Sequence, residues 1–407
     1  MLGPYLKTLV RNGRLTVQIP GQAPMIFGED APPPGLDVEM TLKNAATAVW
    51  LGINPELHFG EAYMNGDLTV TRGDLWALMN LIGRNLPNRA PMLPFNAWLK
   101  RRREAASTRN NAKTARSHVA HHYDLSETLY RAFLDEDMQY SCAYFSDPGM
   151  TLEEAQLAKK LHLISKLDLK PGQSVLDIGC GWGGLALEIA RRADVQVTGI
   201  TLSQEQLAVA RLRARAEGLS DRVRFELIDY RHMPNLQDQA HFDRIISVGM
   251  FEHVGPPQYT TYFDTIKTLL APDGVAVVHT IAHEGLGGGS NAWLDKYIFP
   301  GGYIPSLSQI TGAVEPSRLW VTDIEILRRH YAETLRHWRQ RFMASRPRMV
   351  ELYDERFCRM WEFYLALCEM GFRFATLVVV QVQLTQTIDV LPITRDYMHD
   401  GESVIGQ

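Results

Sequence analysis

VLDIGCGWGG (residues 175–184) reads as an apolar strand that runs into a carboxylate, Asp177, and then into a turn with glycines at 179, 181, 183 and 184. Glycine lets a backbone turn sharply and approach a ligand at the N-terminus of the following helix. The glycine spacing is G-x-G-x-G-G, whereas dinucleotide folds carry G-x-G-x-x-G. Asp177 stands two residues before the first glycine, where it can meet a cationic amino group. The turn therefore fits S-adenosylmethionine better than a dinucleotide.

Around this turn the pattern predicts strands over 174–179, 195–202, 223–229, 242–250 and 274–281, separated by helices over 183–192, 204–217 and 259–270. Alternation at this spacing implies an α/β fold, a mostly parallel sheet with helices on both faces. The apolar stretch 374–382 is expected to add an edge strand. The second strand ends in TGITLSQEQ, so Thr201, Leu202 and Gln206 stand where an acidic residue would usually hold ribose hydroxyls. Asp229 and Tyr230 follow the third strand, where they could read the adenine edge and cover its face.

The first hundred residues differ in pattern. GRLTVQIPG (13–21) and LDVEMTL (36–42) alternate as strands, PPPG (32–35) breaks the chain, and helices are expected over 45–51 and 75–81. This predicts a small α+β domain over 1–98, then a basic polar linker over 99–117 that carries Lys100, Arg101, Arg102 and Arg103. A main domain over 118–395 and a tail over 396–407 complete the chain.

Composition excludes several classes. The 407 residues are 45% hydrophobic and 22% charged, which fits a globular protein. Forty-two Lys plus Arg against 46 Asp plus Glu give a net charge of -4, so nucleic acid is not an expected partner. Cys142, Cys180, Cys358 and Cys368 form no closely spaced pair of the kind that binds zinc, and they suit a reducing cytosol. The N-terminal residues lack the apolar core of a secretory signal, and the purest apolar run, 374–380, falls far short of the roughly 18 residues that span a bilayer. Any membrane work is therefore expected from the surface, and the basic linker could meet anionic headgroups.

Seven motifs in order, YSCAYF (140–145), VLDIGCGWGG, TLSQEQ, GMFEHVG (249–255), HTI (279–281), FPGGYIPS (299–306) and HYAETLRHW (330–338), together resemble the cyclopropane fatty acid synthase family of S-adenosylmethionine-dependent methyltransferases. That family includes the mycolic acid cyclopropane synthases. HFGEAYMNGD (58–67) resembles part of the extra N-terminal domain of its phospholipid-acting members. The resemblance implies a class I methyltransferase domain of Rossmann-like type. It also implies methylene transfer to the cis double bond of unsaturated phospholipid acyl chains, a peripheral position at the inner face of the cytoplasmic membrane, and a homodimer.

Methylation of an unactivated double bond leaves a carbocation, and ring closure requires a proton acceptor in a dry pocket. The resemblance implies bicarbonate in that role, caged by Cys142, Glu252, His279, Ile281 through its amide, and Tyr331. It assigns Tyr140 and Ser141 to the amino acid part of the donor, Gly179 and Gly181 to close backbone approach, and Thr201, Leu202 and Gln206 to the ribose. Tyr230 falls at the adenine, and Tyr123 closes the site. Tyr297, Phe299, Gly301, Trp361 and Tyr364 are candidates for an apolar acyl tunnel, although the helical spacing of Trp361 and Tyr364 equally fits core. Glu252, His253, His283 and Glu284 lie at different strand ends and are not expected to bind metal. The same chemistry could instead end in a methyl-branched or methylene-bearing chain. An N-methyltransferase of small amines is a more distant alternative, disfavoured because amine methylation needs no acceptor for a carbon-bound proton.

Overall fold

The computed structural model describes residues 2–86, 126–235 and 241–399. Tyr123, the basic linker and the tail beyond residue 399 lie outside the described residues. The chain divides into two compact units, the first drawn from 1–105, 290–300 and 332–377 and the second from 106–289, 301–331 and 378–407. Linear composition did not foresee that the N-terminal unit takes in two later segments, one of which begins inside the HYAETLRHW motif.

In the first unit, strands β1 (Arg14–Gln18), β2 (Met25–Gly28), β3 (Asp37–Leu42) and β4 (Leu68–Arg72) form a sheet ordered β2-β1-β3-β4. β1 and β3 are parallel, while the outer pairings are antiparallel. Val17, Val38, Leu42 and Leu68 are fully buried, and each such side chain contributes about 1.5–3 kcal/mol on burial. The helix Glu355–Phe374 packs against Leu75–Asn85 and Pro55–Met64. Gly60 allows close approach, because a Cβ there would stand 2.6 Å from Trp293 and 2.7 Å from Phe363, and Gly83 does the same against Phe374.

The second unit holds a seven-stranded sheet. Its strands are β5 (Ser174–Ile178), β6 (Gln196–Thr201), β7 (Val223–Leu227), β8 (Phe242–Val248), β9 (Leu270–His283), β12 (Trp320–Leu327) and β13 (Leu377–Thr385). A two-residue ribbon, β10 (Gly288–Gly289) with β11 (Tyr303–Ile304), stands apart from it. The order is β12-β13-β9-β8-β5-β6-β7, and β5 through β9 pair in parallel. Alternate residues feed two cores: Leu176, Ile178, Ile245 and Val278 go to one, and Val175, Val197, Ile246 and Val277 to the other. That period-two division means both faces are covered, as the α/β reading requires.

One expectation needs correction. The strand read over 374–382 is β13, whose preceding helix runs on to Phe374, and it is not an edge strand: β12 covers it in antiparallel register. β12 escaped the sequence pattern because WVTDIEIL has an exposed or half-exposed face along nearly its whole length, the mark of an edge strand. The β5–β9 boundaries agree with the sequence reading to within a few residues at each end, save that β9 begins four residues earlier.

Candidate functional site

The glycine turn follows β5. Gly179, Gly181 and Gly183 all have positive φ (83°, 54° and 84°), which side-chain-bearing residues rarely adopt. A Cβ on Gly183 would meet Phe225 at 2.8 Å and Ala210 at 2.9 Å, so this glycine serves packing of the turn on the sheet. A Cβ on Gly181 would meet nothing within 4 Å, so that backbone faces open space, as close approach to a ligand requires.

Asp177 is buried between Gly199 of β6 and Ile246 of β8. Its Oδ2 is buried without a hydrogen-bond partner. Burial pushes its pKa up to about 7, against a smaller downward pull from Lys159. A buried carboxyl with an unused oxygen beside a glycine turn is suited to a cationic amino group.

Thr201, at the end of β6, donates to Gln206 Oε1 (3.0 Å) and accepts from the Ser203 amide (3.1 Å). Ser203 caps the helix Gln204–Ala216. Thr201 and Gln206 are thus brought together and buried, and Leu202 between them is half-buried. After β7, both carboxylate oxygens of Asp229 are held by Arg231, at 2.9 and 2.6 Å. Although burial acts to raise its pKa, these bonds hold Asp229 below the usual carboxylate value. The Tyr230 ring stands edge-on to Tyr262, with centroids 5.4 Å apart, and lies under the Arg231 guanidinium.

The candidate cage residues lie at neighbouring strand ends. Val248, the last residue of β8, pairs with His279 of β9, and the Gly249 amide donates to His279 O at 2.9 Å. Glu252 sits in the short turn of helix beyond β8, and its Oε1 accepts the Ile281 amide at 2.6 Å. That amide is the one the resemblance assigned to the anion; in this structure it orients Glu252. Glu252 Oε2 is buried without a hydrogen-bond partner, and burial raises the carboxyl above its ordinary value. His279 and Ile281 lie two apart on β9 and so share a face. Burial, reinforced by Lys159, Lys166 and His162, keeps the His279 imidazole neutral by driving its pKa well below the ordinary value.

Cys142 is buried, and its segment is held by the helix Leu152–Lys166. Gln156 Nε2 donates to Ser141 O (2.9 Å) and Gln139 O (3.3 Å), and the Tyr144 amide donates to Ala155 O (3.0 Å). Lys159, also buried, donates to Gln139 Oε1 (2.7 Å) and Ser141 Oγ (2.8 Å). Burial lowers its pKa to about 8, and its charge acts on Cys142, Asp177 and His279. Lys159 therefore links the donor candidates to the cage candidates electrostatically. Tyr140 is half-buried, with its ring edge-on to Tyr130 and Phe133. Tyr331 is half-buried near the start of the helix His330–Leu352, beside His330, whose Nδ1 accepts the Phe145 amide at 2.9 Å.

The acyl-tunnel candidates fall differently. Tyr297, Phe299, Trp361 and Tyr364 belong to the first unit, and Gly301 to the second. Trp361 and Tyr364 are buried 5.1 Å apart, and Phe299 stands edge-on to Tyr364 at 5.7 Å. Tyr297 donates to Glu61 at 2.9 Å. Trp361 and Tyr364 are thus buried within that unit, whereas Tyr297 and Phe299 are half-buried. Among the described residues, no group of three or more His, Cys, Asp or Glu is arranged to hold a metal ion, and no helix is long and apolar enough to cross a membrane.

Sequence reasoning missed Lys159, Lys166 and Gln381. A signal was available: Leu152, Lys159 and Lys166 repeat every seven residues along one helix stripe, and Gln381 and Gln383 interrupt one face of an otherwise apolar strand.

Comparisons with known proteins bear directly on this geometry. The family model described as mycolic acid cyclopropane synthetase matches residues 110–382. The chain is 40% identical over 333 residues to the cyclopropane-fatty-acyl-phospholipid synthase of Escherichia coli K12, covering 82% of this chain and 84% of that protein. It is 42% identical over 268 residues to a probable fatty acid methyltransferase of Pseudomonas putida, covering 65% and 67%. Among solved structures, mycolic acid cyclopropane synthase CmaA1 complexed with SAH and CTAB matches with a TM-score of 0.61 and 33% identity, covering 66% of this chain and 97% of that one.

Proposed function

Because the chain belongs to the mycolic acid cyclopropane synthetase family, we propose that it transfers a methylene unit from S-adenosylmethionine to the cis double bond of unsaturated phospholipid acyl chains, closing a cyclopropane ring with bound bicarbonate as proton acceptor. The observation that carries the reading is Glu252: a half-buried residue whose carboxylate is fixed by the Ile281 amide and whose buried Oε2 is unused, close to the buried, neutral His279. When bound, S-adenosylmethionine would supply an electrophilic methyl to the alkene with S-adenosylhomocysteine as leaving group, and bicarbonate would accept the proton whose loss from that methyl lets the C–H electron pair close the ring.

The chain's own groups suit both guests. Asp177 Oδ2 takes the donor's ammonium, and the Gly181 backbone gives room beside it. Thr201 and Gln206 offer a donor and an acceptor to the ribose in place of a carboxylate. Glu252 Oε2 accepts the bicarbonate hydroxyl and so turns its anionic oxygens away from the carboxylate, while His279 donates to one of them. Lys159 adds positive charge near both sites. Bicarbonate is preferred over a side-chain base because the resemblance implies it and because His279 and Glu252 each already have an orienting role.

We place the N-terminal unit at the lipid surface. The helix Ala45–Ile53 contains no charged residue, and Val49, Trp50 and Ile53 are exposed on it. An apolar, tryptophan-bearing face of this kind suits the bilayer interface.

The decisive experiment is mass spectrometry of phospholipids after expression in a host that lacks such an enzyme. Cyclopropanation predicts a gain of one CH2 with no hydrogen uptake on mild catalytic hydrogenation, and activity that is lost in decarbonated buffer and returns with bicarbonate. A product that gains CH2 and takes up two hydrogens would replace the ring with a methylene branch. The similarity to a probable fatty acid methyltransferase of P. putida keeps a methylated chain without a ring as the second reading.

A further inference from the structure

The helix Leu152–Lys166 buries three lysines, of which Lys160 pairs with Asp137 and Lys159 and Lys166 are the most deeply buried; Lys166 reaches the residue behind His279. Lys166 Nζ donates to Glu325 and, at 2.7 Å, to Gln381 Oε1. Gln381 Nε2 lies 3.2 Å from His279 Nδ1. An ammonium can only donate, so the group facing Lys166 must be the amide oxygen. The NH2 of Gln381 is thereby turned to His279, whose Nδ1 must accept. The opposite imidazole tautomer would set two N–H donors against each other in a buried place, which is disfavoured.

The relay is anchored at its far end. Glu325 also accepts from His162 Nε2 at 2.6 Å. The His162 ring stacks on Tyr144 (4.3 Å, 9°), and Tyr144 stacks on His330 (5.0 Å, 5°). Glu325 and Gln381 are paired residues of β12 and β13, so the sheet itself sets their spacing. The same network thus runs from the strand that carries His279 to the segments that carry Cys142 and Tyr331.

We propose that Lys166 and Gln381 are positioning residues that fix His279 as the neutral Nε2–H tautomer, so that its Nε2–H is the donor presented to the bicarbonate. This rests on the cage reading of His279 given above. The neutral state is further favoured because an imidazolium there would add a third buried cation beside Lys159 and Lys166.

The test is 15N NMR of the full-length protein labelled in histidine, with His279 assigned by its loss in His279→Gln. The wild type should show His279 as neutral and protonated on Nε2 at pH 7. A neutral Nδ1–H form or an imidazolium overturns the proposal, and this state is read on the wild-type protein, His279→Gln serving only to assign the signal. Lys166→Met and Gln381→Leu should release the tautomer into a mixture and lower kcat about tenfold or more, in the range usual for residues that orient a ligating histidine. KM for S-adenosylmethionine should change less than about twofold, since neither residue touches the donor candidates. Lys166→Arg, also a pure donor, should restore the single tautomer and most of kcat. A fall in kcat with the tautomer unchanged overturns the proposal, because the residues would then act by packing alone. The cage reading is checked separately by bicarbonate: full wild-type activity in decarbonated buffer would remove the anion while leaving the tautomer result intact.

Discussion

If Asp177 holds the ammonium of the donor, donor binding should depend on pH. The Asp177 carboxyl is buried, Oδ2 has no hydrogen-bond partner, and its pKa is pushed up to about 7 from an ordinary value of 3.8. If the ammonium of the donor meets the ionised form, the apparent Kd is the intrinsic one multiplied by 1 + 10^(pKa − pH). With a pKa of about 7, binding at pH 6 should be about elevenfold weaker than the fully ionised limit. Calorimetry with S-adenosylhomocysteine, which keeps the same amino acid end, should show this trend between about pH 5.5 and 7.5. Asp177→Asn should flatten the profile and weaken binding about 10- to 150-fold, the equivalent of a charge-assisted hydrogen bond of about 1.5–3 kcal/mol. The sign for stability is opposite. A folded-state pKa above the unfolded one means the native protein holds the extra proton, so stability falls as pH rises from 3.8 to about 7. The Asn variant lacks that loss and should melt higher than wild type at about pH 8 in the absence of ligand. A flat wild-type binding profile, or an Asn variant that melts lower, refutes the assignment.

Glu252→Gln should lower turnover by about 10- to 100-fold, because the amide can still accept the Ile281 N–H but presents a donor where Oε2 accepted. Affinity for S-adenosylhomocysteine should stay within about twofold, which calorimetry decides. The two turn glycines should separate fold from ligand. Gly183→Ala forces a Cβ to within 3 Å of Phe225 and Ala210 and should lower Tm strongly. Gly181→Ala meets no atom and should incur only the positive-φ strain of about 1–2 kcal/mol while weakening S-adenosylhomocysteine binding disproportionately. Trp50→Ser, at an exposed position, should leave Tm unchanged and weaken sedimentation with phosphatidylglycerol vesicles; unchanged sedimentation would take the Ala45–Ile53 face away from the membrane.

What the sequence made legible was local. The glycine turn could be read because positive φ is a property of single residues, and β5 through β8 because their apolar runs are bounded by turn residues. Glu252 could be placed beyond a strand end because parallel strands present their carboxyl ends to ligands, whereas His279 was legible only as a residue within an apolar strand. The inward position of β13 was hidden, because only the pairing with β12 decides which strand is the edge, and that pairing joins residues more than fifty apart. The composition of the first unit was hidden for the same reason.

The helix Leu152–Lys166 shows what such long-range pairing adds to the chemistry. Its lysines at 159 and 166 look in sequence like the solvated face of an amphipathic helix, yet both are buried because their partners arrive from elsewhere: Gln139 and Ser141 for the first, Glu325 and Gln381 for the second. A buried ammonium without such partners would be strongly disfavoured, and with them it becomes a fixed donor that dictates the orientation of every amide and ring it touches. Since Ser141 adjoins Cys142 and Gln381 abuts His279, this one helix supports two of the proposed cage residues through two separate lysines. Charge at helical spacing is therefore weak evidence of exposure wherever the opposing strand carries glutamine at alternate positions, as β13 does at Gln381 and Gln383. The pairing of those two patterns is what a sequence search for further members with this support should look for.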